Sequence, residues 1–214
     1  MVHELFQVAM GWTNNHYHDF KVAGKVFSDI DAISDDSVAS SHKIEDESDY
    51  FLCDLFQEPG ECIEYEYDWG DSWIHDVELE KVSPAKNCDY LARCVAGKRA
   101  CPPEDVGGIH GYANFVDAIE DPEHPEHEAM LSWIGCQFDP DSFDPRLVNM
   151  YLEEMKMQLE AFSDLVGETL PELLGEMMAA EQTSNSKPKP KSKSKSQSQS
   201  KSKLSIVRDG EPRL

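Results

Sequence analysis

The stretch CIEYEYDWGDSWIHDVELEKV, residues 62–82, decides the fold. Ile63, Tyr65, Tyr67 and Trp69 alternate with Glu64, Glu66 and Asp68. Past Gly70-Asp71-Ser72 the alternation resumes, with Trp73, His75, Val77 and Leu79 set against Asp76, Glu78 and Glu80. Period-two alternation around a short turn containing Gly predicts an antiparallel hairpin. One face is aromatic and aliphatic, and the other is a row of carboxylates turned to water.

Upstream of the hairpin, residues 16–22 read as a second strand, with His16, His18, Phe20 and Val22 on one face and Tyr17, Asp19 and Lys21 on the other. Before it, Val2, Leu5, Phe6 and Ala9 recur at helical spacing, and Gly11 follows as a stop. Residues 28–49 are rich in Asp, Ser and Glu and read as an irregular excursion. Tyr50 to Phe56 reads as a short helical turn ending before Pro59-Gly60. Downstream the period becomes helical over Tyr112–Ile119, His127–Ile134 and Leu147–Phe162, with a break at FDPDSFDP. In the last of these, Leu147, Met150, Tyr151, Met155 and Leu159 form the apolar stripe expected to face the core. Strands early and helices late predict an α+β domain over residues 1–162: a small antiparallel sheet with a central hairpin, covered by C-terminal helices. A short helical extension is expected over 163–181, its helix running from Pro171 to Ala180. The Lys/Ser-rich stretch 182–214 has almost no apolar residue before Leu204 and reads as a disordered tail.

Charge narrows the function classes. Of the 19 Lys+Arg and 42 Asp+Glu, residues 1–181 hold 10 and 40, a net −30, and residues 182–214 hold 9 and 2, a net +7. An acidic body repels a phosphate backbone, so the folded part is not expected to bind nucleic acid; weak contact is left to the basic tail. No run approaches the ~20 apolar residues of a membrane span. The opening MVHELFQVAMGW carries acid where a secretory signal carries base, so a cytoplasmic location with reduced cysteines is expected.

Three stretches carry a resemblance: MGWTNNHYHDF (10–20), YEYDWGDSWIHDVELEKV (65–82), and the run CVAGKRACPPEDVGGIHGYANFVDAIEDPEHPEHEAMLSWIGCQFDPDSFDP (94–145). In order and spacing they resemble the plasmid pRiA4b ORF-3-like family over about residues 3–150. The resemblance implies a small α+β domain of unassigned biochemical activity, found as a passenger of plasmids and insertion elements and sometimes given a resolvase-like label. Together with the lack of a complete catalytic constellation, it leads us to expect a binding or accessory role with a protein partner. The net −30 and the lack of a basic helix-turn-helix region stand against a resolvase. Two departures matter. Relatives begin with a further hairpin around a KPPIWRR-like stretch, whereas this chain begins at the first helix; either the start lies upstream or a sheet edge is left open. Val106 stands where relatives carry cysteine, which removes a ligand from any cysteine-based metal site.

The remaining candidates are chemical. If the faces carrying His16, His18 and His75 meet, three imidazoles converge on a divalent metal, with Asp71 as a fourth ligand or an orienting group; this is the hydrolase-like alternative. The same histidines also suit a core in which each is satisfied by backbone. Trp73 lies beside His75 on the apolar face. Cys94 and Cys101, spaced C-x6-C, flank Gly97-Lys98-Arg99, where positive charge lowers a thiol pKa; loop packing is the plainer reading. Glu104 and Asp105 precede Gly107-Gly108 and a helix, where Asp105 suits a cap and the glycines suit a turn needing positive φ.

Overall fold

The computed structural model describes residues 2–30, 33, 44–83, 91–166 and 202–209. Helix α1 (Val2–Met10) opens the chain, followed by β1 (His18–Val22), β2 (Lys25–Ser28), β3 (Ile44–Asp46), a 3-10 turn at Glu47–Asp49 and the one-turn α2 (Leu52–Leu55). The long hairpin is β4 (Cys62–Tyr67) and β5 (Trp73–Ser83). Three helices follow, α3 (Gly108–Glu120), α4 (His127–Ile134) and α5 (Pro145–Val166), and then strand β6 (Ser202–Asp209). The fold is α+β, with sheet order β3-β2-β1-β4-β5-β6. The sheet is mostly antiparallel; β2–β3 and β5–β6 pair in parallel.

Alternation does the work expected of it. Tyr65 pairs with His75 and with Phe20, and Tyr67 pairs with Trp73 and with His18, so one face carries Phe20, Ile63, Tyr65, Tyr67, Trp73, Val77 and Leu79, all buried. Helix α1 lies on this face, with the Phe6 ring edge-on to Tyr65 (5.3 Å) and near Phe20 (5.8 Å). From α3, Tyr112 reaches Trp73 at 6.3 Å. On the opposite face Glu64 stands directly across from Asp76, a like-charged pair that is destabilising in isolation. Lys21 lies among these acids, bonding Glu66 and Glu64 and pairing with Asp19 at 3.6 Å.

Several expectations are corrected. The first strand begins at His18, because Asn15 N–H donates to the Tyr67 hydroxyl and Asp68 N–H to the Tyr17 carbonyl, which bends His16 off the strand. The hairpin loop runs from Asp68 to Ser72, and Asp68 adopts φ +55°. Trp69 therefore leaves the apolar face and packs on Tyr17. Residues 28–49 are not wholly irregular: β2 follows a two-residue turn at Ala23-Gly24, both at positive φ, and β3 closes the sheet's edge. Helix α5 turns Leu152 and Ser163 inward and leaves Leu147, Met150 and Tyr151 about half exposed, so the expected core stripe faces outward in part. It also runs past Phe162 to Val166. The helix expected at Pro171–Ala180 lies outside the described residues, as do 182–201 and 210–214 of the expected tail. Residues 202–209 pair along the outer edge of β5 as strand β6, which suits the β-prone run Leu204-Ser205-Ile206-Val207. Among the described residues no helix is long and apolar enough to cross a membrane.

Candidate functional site

Three loops meet at the tip of the β4–β5 hairpin: residues 13–16 after α1, residues 68–72 between the strands, and residues 104–108 ahead of α3. Glu104 ties the first to the third. Its Oε1 accepts from Thr13 N–H (2.8 Å), the Thr13 hydroxyl (2.7 Å) and the Tyr67 hydroxyl (3.0 Å). Asp71 ties the second to the third, its Oδ2 accepting from Gly107 N–H at 2.9 Å. Gly108 (φ +67°) lets the chain come this close, since a Cβ there would stand 2.6 Å from the Asp71 carbonyl oxygen. The glycines serve the expected turn, both at positive φ, but Asp105 does not cap the helix: Gly107 is the N-cap, with no side-chain cap bond, and Asp105 turns to His16 instead.

Inside this clasp His16 points its Nε2 at three carboxylates, 3.3 Å from Asp105 Oδ1, 3.6 Å from Asp68 Oδ2 and 3.7 Å from Glu104 Oε2. The Nε2 atom is buried and has no hydrogen-bond partner. Asp68, its side chain 9% exposed, accepts at Oδ1 from the N–H groups of Gly70 and Asp71 and turns Oδ2 toward His16. Burial and the nearby Glu104 raise the Tyr67 hydroxyl well above the usual phenol range, so it remains a protonated donor. Asn14, Asp68, Ser72 and Asp105 all hold positive φ between 54° and 58°, a concentration of uncommon backbone at one spot.

The three histidines do not come together: among the described residues they form no common ligand set. The His18 ring stacks on His3 (3.5 Å, 5° between planes) and its Nε2 bonds Glu47 at 2.6 Å. His75 donates from Nδ1 to the Tyr65 carbonyl at 3.2 Å, and burial pushes its pKa down. Burial also sends His3 down to about 4, helped by the neighbouring His18. With Nε2 donating to Asn14 Oδ1 and Nδ1 accepting from Tyr65, neutral His3 is fully satisfied. Trp73 is a core residue against Trp12 and Tyr112. Cys94 is anchored through its backbone to Asn149, and burial raises its thiol; Cys101 is raised much further by burial and by Glu104. Neither thiol is activated, so loop packing is what the structure gives them. His16, Glu104 and Asp105 are thus brought together, with Asp71 as their fastener. Sequence reasoning missed Asp68, whose alternation placed it among the outward carboxylates; its signal is the Asp-Trp-Gly order at a hairpin end, which suits an Asp that caps its own turn.

The chain is similar to known proteins over most of its described length. The model of the plasmid pRiA4b ORF-3-like protein family matches residues 1–147. The chain belongs to the plasmid pRiA4b ORF-3-like family. An uncharacterized protein of this kind, y4hQ from Sinorhizobium fredii, is 35% identical over 142 residues, 66% of this chain and 69% of the relative. The crystal structure of a protein of unknown function from Methanosarcina mazei Go1, MM3350, superposes with a TM-score of 0.57 at 33% identity, covering 68% of this chain and 79% of the other. The family's biochemical activity is unassigned, and these relatives carry no reaction with them.

Proposed function

We propose that this member of the family is a binding or accessory domain in a plasmid or mobile-element setting, which docks a basic amphipathic helix of a partner protein. The observation that carries the reading is an open groove of about 1080 Å³ between the end of α1, helices α3 and α4, and the start of α5. Val8, Leu131, Ile134, Phe138, Leu147 and Tyr151 line it. It exceeds the ~300–1000 Å³ of a small-molecule pocket, and its open shape suits a row of helical side chains. Leu131, Leu147 and Tyr151 are 41%, 48% and 47% exposed there, an apolar patch on a body whose first 181 residues carry a net −30. Glu120 and Asp139 on the lining favour a cationic partner, with Arg99 the opposing charge and Asp144 already paired with Arg146.

A designed helical peptide with leucine on one face and lysine on the other tests this by fluorescence anisotropy. The expected result is saturable binding that weakens about tenfold or more in Leu147→Glu, a half-exposed position where the change leaves the fold intact. Equal binding of a leucine/glutamate peptide, or indifference to Leu147→Glu, overturns the reading. So does a dimer in sedimentation that Leu147→Glu dissolves, because a second copy then fills the groove.

A further inference from the structure

The hairpin-tip cluster lies apart from the groove: His16, Asp68, Glu104 and Asp105 are not among the residues that line it. We propose that this cluster is a divalent-cation site, taking a transition-metal ion of the zinc or manganese type through His16 Nε2, Asp68 Oδ2 and Asp105 Oδ1.

The distances suit a ligand set better than a tight hydrogen-bonded ion pair. A protonated imidazole among carboxylates draws at least one of them to ~2.7–2.9 Å. Here the shortest separation is 3.3 Å and the next 3.6 Å, and the ligand atoms of His16, Asp68 and Asp105 all lie within 4.8 Å of one another. Nitrogen and oxygen atoms each ~2.0–2.2 Å from one ion stand roughly 3.3–3.6 Å apart along a tetrahedral edge. The two spacings from His16 Nε2 fall in that range.

Chemistry and support agree with the geometry. A neutral imidazole and two carboxylates balance the charge of a divalent ion, and one nitrogen with two oxygens is a donor set that zinc and manganese accept. The nine-tenths-buried Asp68 has one oxygen held by two backbone N–H groups while the other is turned into the site without a hydrogen bond, a rigid ligand. Glu104 stands behind, fastened to Thr13 and Tyr67, where it fixes the loop that carries Asp105. Asp105 is 76% exposed, which leaves the outer side of the ion open to water or to an anionic oxygen ligand.

The test is calorimetric titration of chelator-stripped full-length protein with Zn²⁺, Mn²⁺ and Mg²⁺ in turn, with electron paramagnetic resonance of the manganese sample. The expected result is uptake of a single equivalent of zinc or manganese, weakened at least about tenfold by His16→Ala and by Asp105→Asn. Asp105→Asn is the decisive variant, because this 76% exposed side chain makes no hydrogen bond among the described residues, so its loss leaves the metal-free melting temperature in place. Failure to bind a stoichiometric ion, weak multisite uptake, or tight uptake that survives both substitutions overturns the proposal. None of these results bears on peptide binding in the groove.

Discussion

Gly108→Ala probes the clasp that builds the hairpin tip. A residue at φ +67° carries a left-handed penalty of about 1 kcal/mol once it has a Cβ. At Gly108 that Cβ also meets the Asp71 carbonyl oxygen at 2.6 Å and its carbon at 3.5 Å, both backbone atoms that cannot rotate away. The 104–108 loop must therefore move off the hairpin, stretching the 2.9 Å bond from Gly107 N–H to the Asp71 carboxylate. A hydrogen bond to a charged group is worth about 1.5–3 kcal/mol, and this exposed one sits at the lower end. The total is about 2.5 kcal/mol. Gly24 in the β1–β2 turn supplies the control: its φ is +86°, but a Cβ there has nothing within 4 Å, so Gly24→Ala costs about 1 kcal/mol for backbone alone. At roughly 2–4 °C per kcal/mol for a chain of this size, the two variants should melt several degrees apart in a calorimeter. Urea titrations should give the same order of stability with unchanged slopes. Equal destabilisation by the two substitutions refutes the close approach of the loops, and with it the placement of Asp105 beside Asp68.

Two further outcomes follow from the buried polar groups and the long loop. His3 titrates near 4 when folded and near 6.5 when unfolded, so the unfolded chain gains the proton first. Stability from this group is complete above about pH 6.5 and is lost as pH falls toward 4, on the order of 3 kcal/mol in all. Burial of His75 acts in the same direction. Urea unfolding from pH 7.5 to 4 should show the decline, His3→Gln should flatten it, and an equal slope in the two proteins contradicts the assignment. Asn149→Ala removes the pair of 2.8 Å bonds that hold the Cys94 backbone to α5. It should cost about 1–2 kcal/mol and make Cys94 about tenfold faster to alkylate through local opening, and an unchanged alkylation rate would refute the anchoring role.

The fold was legible where one side of an element must be dry. Alternation in residues 62–82 needs no partner to be recognised, because a one-residue slip would drive Glu64 and Glu66 into the core and Tyr65 and Tyr67 into water. Helix α4 falls at its expected bounds, and α1 and α3 fall close to theirs, since their apolar spacing is local. The short strands β2 and β3 were not legible. Val26-Phe27 is too brief to show a period, and Ala23-Gly24 is a weak turn signal beside Asn-Gly. The outward half of α5 was hidden for a different reason: an apolar stripe says that something covers it, not whether the cover is the chain's own core or a groove.

The sequence by itself determined the α+β class, the central hairpin with its dry and acidic faces, and the family, because each rests on residue types at short, fixed spacings. It also named His16, Asp71, Glu104 and Asp105 as residues of chemical interest. Only the tertiary structure decided which of them meet. His16 leaves its strand for the loop cluster, while His18 and His75 go to a ring stack and a backbone carbonyl. That choice is made by hydrogen bonds from backbone N–H groups to side chains more than fifty residues away, Asn15 to the Tyr67 hydroxyl and Thr13 to the Glu104 carboxylate. Contacts closed over such distances leave no periodic trace along the chain.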